Sequence, residues 1–114
     1  MKRLLLFLAA AALAFAADIT GTWNFNVETD LGSGTPTMTF KQDGNTLTGT
    51  YKGQLGEAPL RGTVEGNKVE FSFEVSPTGD KITVKYAGTV DGNSMKGTVD
   101  LGGQATGKFT ATKQ

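Results

Sequence analysis

From Gly21 to the C-terminus the chain alternates apolar and polar residues with period two, and it does so in eight successive runs. That period puts every second side chain on one face, which is the pattern of a half-buried antiparallel strand and not of an amphipathic helix. The first run carries Trp23, Phe25 and Val27 on one parity and Thr22, Asn24, Asn26 and Glu28 on the other. The next five place on the apolar side Met38 and Phe40; Leu47, Gly49 and Tyr51; Leu60, Gly62 and Val64; Val69, Phe71, Phe73 and Val75; and Ile82, Val84, Tyr86, Gly88 and Val90. Met95, Gly97, Val99 and Leu101 form the seventh run, and Ala105, Gly107, Phe109 and Ala111 the eighth. Sixteen Gly and 17 Thr against three Pro suit a turn-dense β protein.

Three of the links between runs are near copies: Asp43-Gly44-Asn45, Glu65-Gly66-Asn67 and Asp91-Gly92-Asn93. Each suits a tight hairpin. The other links, Thr29 to Thr35, Gly53 to Ala58, Ser76 to Asp80 and Gly102-Gly103, are mostly longer and unlike one another. In an up-and-down meander alternate links share an end, so tight turns close a lower end and the varied loops ring an upper one. The expected fold is therefore all-β: an eight-stranded antiparallel up-and-down meander closed into a small barrel. Closure is favoured because a flat sheet would expose a whole apolar face; a two-sheet sandwich is the structural rival. Glycines on the apolar parity either make room for a ring from across the barrel or permit sharp coiling. A membrane barrel would turn its apolar side chains outward, whereas the outward parity here is Thr, Lys, Glu and Asn.

Residues 1–16 read as a secretory leader: Met1-Lys2-Arg3, an apolar run from Leu4 to Leu13, and the small-x-small site Ala14-Phe15-Ala16. Cleavage before Ala17 leaves a single domain, 17–114, secreted or periplasmic, because the apolar run is shorter than the ~20 residues that span a bilayer. Without Lys2 and Arg3 the chain has 9 basic against 11 acidic residues, a net charge of −2. That balance gives no electrostatic case for nucleic acid or an anionic membrane. The absence of Cys and His removes disulfides, thiol nucleophiles, imidazole bases and the usual zinc ligands. No cofactor, metal site, catalytic residue or membrane insertion is expected, and the domain is expected to be a monomer.

Gly21-Thr22-Trp23 resembles the Gly-x-Trp that opens the first strand of the calycins, the lipocalins and avidins. Ile19 to Trp23 and Leu47 to Tyr51 are similar to the first and third strands of bacterial avidins, and the chain also looks like the short Gly/Thr-rich domains that occur alone or appended to secreted bacterial enzymes. The resemblance implies an eight-stranded barrel with a basic residue laid over the opening tryptophan. Lys113, on the parity of Phe109 and Ala111, is the residue here that matches that role. It does not carry biotin binding across. Tyr51 matches the avidin tyrosine, but Phe25 stands where an asparagine is needed, Gly53 where a serine is needed, and Trp23 is the single tryptophan.

Trp23 and Lys113 are thus candidate structural residues at the closed end. Tyr51 and Tyr86 bring the only phenols to an otherwise apolar interior, and either reach backbone and rim water or orient a ligand headgroup. At the upper rim Leu31, Gln54, Leu55 and Pro77, with Pro59 beside them, are candidate contacts for a ligand or a partner. Asp30, Glu57 and Asp80 also fall in upper loops, but a glycosidase pair needs a walled cleft and calcium a spaced ligand run, and neither is written here. Two functions compete. One is a non-enzymatic barrel binding a small apolar molecule at its open end; the other is a structural or protein-interaction domain with a filled core, including an inhibitor of a secreted hydrolase.

Overall fold

The alternation becomes nine strand segments in the computed structural model, which describes residues 18–114; the expected leader and its cleavage site lie outside the described residues. The segments are β1 (Gly21–Thr29), β2 (Gly32–Gly34), β3 (Thr37–Asp43), β4 (Thr46–Gly53), β5 (Gly56–Glu65), β6 (Lys68–Val75), β7 (Ile82–Asp91), β8 (Ser94–Leu101) and β9 (Thr106–Lys113). Each pairs antiparallel with its neighbour along the chain except β2 and β3, which both pair with β1, and β1 also pairs with β9 from Trp23↔Lys113 to Thr29↔Gly107. That last ladder closes the sheet into a barrel and removes the sandwich alternative.

Eight staves make the wall, because β2 and β3 are one stave broken in the middle. Val27↔Gly34 and Asn24↔Thr37 lie on the same register against β1, and the Phe25 N–H still donates to the Pro36 carbonyl between them at 2.9 Å. Pro36 has no N–H to return, so the ladder lapses at that step. The expected long loop from Thr29 to Thr35 is therefore a two-residue turn, Asp30-Leu31, followed by strand. Gly53 to Ala58 is corrected in the same way: Gly53 pairs with Gly56, and only Gln54-Leu55 turns. Both turns read polar-Leu-Gly, and both end on a glycine at positive φ, 127° at Gly32 and 117° at Gly56. Of the upper links only 76–81 and 102–105 are irregular.

The lower turns behave as their sequence implies. Gly44, Gly66 and Gly92 have φ of 64°, 61° and 63°, and among the described residues none other than glycine has positive φ. Positive φ at the first central residue alone is the type II′ hairpin, whose twist matches that of the strands it joins.

The core is one cluster of the inward parity, from Trp23, Phe25 and Met38 through Phe71, Phe73 and Val84 to Phe109 and Ala111. Phe25 lies at its centre, 5.4 Å from Phe109, 5.8 Å from Tyr86, 6.2 Å from Phe40 and 6.3 Å from Phe71 between ring centroids. Burial of such rings, with edge-to-face contacts adding about 0.5–1.5 kcal/mol each, is what holds a chain without disulfides. The inward glycines serve coiling more than ring space. At Gly97 a Cβ would collide with the Ala87 carbonyl oxygen, and at Gly62 with that of Glu70, so bare backbone lets neighbouring strands bend tightly past each other.

Candidate functional site

The lower end is sealed. Trp23 is wholly buried and its Nε1–H donates to the Ile19 carbonyl at 2.9 Å. Ile19, itself wholly buried, is held by its N–H to Gln42 Oε1 at 3.0 Å and so forms part of the plug. The inward set read from the sequence began at Trp23 and missed Ile19, although Ile19 shares the odd parity of Trp23 across Thr20-Gly21-Thr22 and extending the alternation by one step would have included it. Lys113 is the cross-strand partner of Trp23, and its Cε and Nζ stand over Gly21, 2.9 and 3.7 Å from where a Cβ would lie. Its charge reaches Asp18, whose carboxyl is held below its ordinary pKa first by the Thr20 N–H at 3.1 Å, then by the Thr20 hydroxyl, and to a smaller extent by Lys113.

The upper end is open. A cavity of about 420 Å³ descends between the β1–β2 hairpin, the β4–β5 turn and the 76–81 loop. Its buried surface comes from Val27, Pro36, Tyr51 and Tyr86, its half-buried wall includes Leu55, Ile82 and Leu101, and its exposed rim includes Leu31, Gln54, Pro77, Asp80 and Gln104. Tyr51, Tyr86, Leu31, Gln54, Leu55 and Pro77, singled out from the sequence, are thus brought together around one space. Ile82, Leu101 and Gln104 are additions. Ile82 and Leu101 were assigned to the inward parity, but nothing in the alternation marks which inward residues end at a void.

Below the cavity the barrel is filled. Tyr51 stacks on Phe73 with centroids 4.1 Å apart and planes at 18°, and Tyr86 on Phe71 at 4.9 Å and 12°. The Tyr51 hydroxyl accepts the Leu55 N–H at 3.4 Å, tying the phenol to the β4–β5 turn. Tyr86 is 4% exposed, and among the described residues its hydroxyl has no hydrogen-bond partner; the oxygen is not sealed in the core but keeps contact with the cavity space. Burial raises the pKa of both phenols, and at Tyr86 the nearby Tyr51 raises it further, so both remain protonated through the ordinary pH range.

Four other residues expected at or beside the rim take different places. Pro59 does not border the mouth: it faces outward in β5, and its missing N–H is on the side toward β6. The β5–β6 ladder accordingly stops at Arg61↔Ser72, two residues short of it. Of the three carboxylates, Asp80 lies on the cavity rim, Asp30 lines a depression on the outside of the barrel, and Glu57 pairs with Lys52 across β4 and β5. They do not converge. The outer depression, about 840 Å³, is larger than the cavity but is a shallow saddle over Ala87, Thr98 and their charged neighbours, without the enclosing walls that bury a small molecule.

No protein-family model and no curated protein sequence matches the chain. Among solved structures, a redesigned β-barrel, mFAP1, bound to DFHBI, is similar with a TM-score of 0.62. The two chains are 14% identical, and the match covers 84% of this chain and 94% of that one, a likeness of fold: a small closed antiparallel β-barrel.

Proposed function

We propose that this protein is a secreted, non-enzymatic monomeric barrel that carries or senses a small molecule held in the upper cavity. The observation that carries the reading is the open space of about 420 Å³ at the upper end, lined mainly by apolar side chains and by the Tyr51 and Tyr86 phenols, the second with its hydroxyl oxygen reachable from that space and without a hydrogen-bond partner among the described residues. Small-molecule sites are typically concave and mostly apolar with a few convergent polar groups, and this cavity has that make-up. The Gly21-Thr22-Trp23 resemblance to calycins and the structural likeness to a barrel bound to DFHBI support the same reading. Native mass spectrometry of the protein recovered from its own secretion tests it. A small-molecule adduct is expected, and filling the cavity by Leu55→Trp should abolish it. Secreted protein without an adduct, whose thermal unfolding is also unmoved by a panel of small ring compounds, overturns the proposal.

A protein-interaction role has one specific observation in its favour: Leu31, 71% exposed at the tip of the β1–β2 hairpin, is the one large hydrophobic residue fully offered to solvent among the described residues. Under that reading Leu31→Ser abolishes binding of a protein partner and leaves thermal unfolding unchanged.

A further inference from the structure

The chemistry of the cavity wall narrows what the site accepts, an inference that rests on reading the cavity as a ligand site. Among the described lining residues there is no Lys or Arg, and the one ionisable group besides the two phenols is the Asp80 carboxylate. An anion entering this space would lose its hydration shell without gaining a counter-charge, and it would face a carboxylate at the mouth. The polar groups at depth are donors. Tyr51 already uses its oxygen as acceptor for the Leu55 N–H, which leaves its own hydrogen to give, and the Tyr86 hydrogen is uncommitted. Both groups stay protonated because burial disfavours the phenolate.

Size is bounded from below and from the sides. The Tyr51–Phe73 and Tyr86–Phe71 stacks floor the cavity, and Phe25, Phe40 and Phe109 fill the barrel beneath them, so an alkyl chain has nowhere to descend. At the packing density of protein interiors, about 420 Å³ holds roughly 15–20 non-hydrogen atoms. The wall residues Val27, Pro36, Leu55, Ile82 and Leu101 favour an apolar body.

We propose that the upper cavity selects compact, uncharged ring compounds that bring a hydrogen-bond acceptor to the Tyr51 and Tyr86 hydroxyls, and that it rejects carboxylates, long-chain fatty acids included. Three probes of nearly one shape test this by calorimetric titration of the whole secreted protein: 2-acetylnaphthalene, 2-ethylnaphthalene and 2-naphthoate. The acetyl compound is expected to bind about fivefold tighter than the ethyl compound, the worth of one neutral hydrogen bond. Naphthoate is expected to bind at least about tenfold weaker than the acetyl compound, from the cost of desolvating an unpaired charge. Tyr86→Phe should bring the acetyl compound down toward the level of the ethyl compound while leaving the ethyl compound unchanged. Asp80→Lys should raise naphthoate affinity and leave the ethyl compound unchanged. Naphthoate binding as tightly as 2-acetylnaphthalene, or an acetyl preference indifferent to Tyr86→Phe, overturns the inference while leaving the ligand site standing. Failure of all three to bind overturns the inference together with the ligand site.

Discussion

The two ends of the barrel are built from the same strands yet obey different rules. At the lower end three type II′ Gly-Asn turns join complete ladders, and Ile19 and Trp23 fill the space between them. At the upper end lie all three prolines: Pro36 breaks a stave, Pro59 faces the point where β5 and β6 part, and Pro77 sits in the 76–81 loop. The lower end keeps its backbone paired and its interior dry, while the upper end gives up pairing and keeps a void. Proline marks the difference because a residue without an N–H ends a ladder at no cost in unsatisfied donors. The barrel therefore has a structural half and a permissive half, and the two buried phenols stand at their boundary.

The largest effect expected from that division belongs to the plug. Trp23→Ala removes a wholly buried indole and should lower the unfolding free energy by about 3–5 kcal/mol in urea titrations; a loss below about 1 kcal/mol would mean the lower end is not the anchor. Alkaline pH tests the boundary. The unfolded phenols ionise near pH 10.0, whereas the folded pKa values of Tyr51 and Tyr86 are raised. Their stability contribution is therefore fully present below pH 10 and lost as pH rises through the folded values. Stability should fall above pH 10 by up to about 1.4 kcal/mol per unit for each phenol. Absorbance at 295 nm should show the tyrosines ionising together with unfolding and not before it.

A smaller effect is expected where the wall parts. Pro59→Thr restores a donor facing β6, and should slow exchange of the Glu74 amide opposite while changing stability by no more than about 1 kcal/mol. Unchanged exchange would show that packing around Phe73, not the proline, sets the gap. Smallest is Tyr86→Phe. Its hydroxyl has no protein partner among the described residues, so stability should move by no more than about 0.5 kcal/mol. Tyr51→Phe, which loses the Leu55 N–H, should cost more than that. The reverse order would place the free phenol at the wrong tyrosine.

Much of this was legible in the residues. Period two assigns a face to each side chain, so the inward set from Trp23 to Ala111 and the sealed Gly-Asn turns follow from local chemistry alone. The rim was legible more coarsely: Leu31, Gln54, Leu55, Pro77, Tyr51 and Tyr86 do meet, but the links holding Leu31 and Leu55 are tight turns where longer loops were expected. The polar-Leu-Gly repeat at Asp30-Leu31-Gly32 and Gln54-Leu55-Gly56 was the available signal for that. What the residues by themselves determined is the parity of each strand and the chemistry of each short turn, because both depend on neighbours a few positions apart. Only the closed tertiary structure decided that Ile19 completes the plug, that the β5–β6 ladder ends short of Pro59, and that the Tyr86 hydroxyl is left facing a void. The surroundings of Ile19 and of the Tyr86 hydroxyl come from strands far apart in the chain, and those strands are brought round one interior only once β9 has met β1.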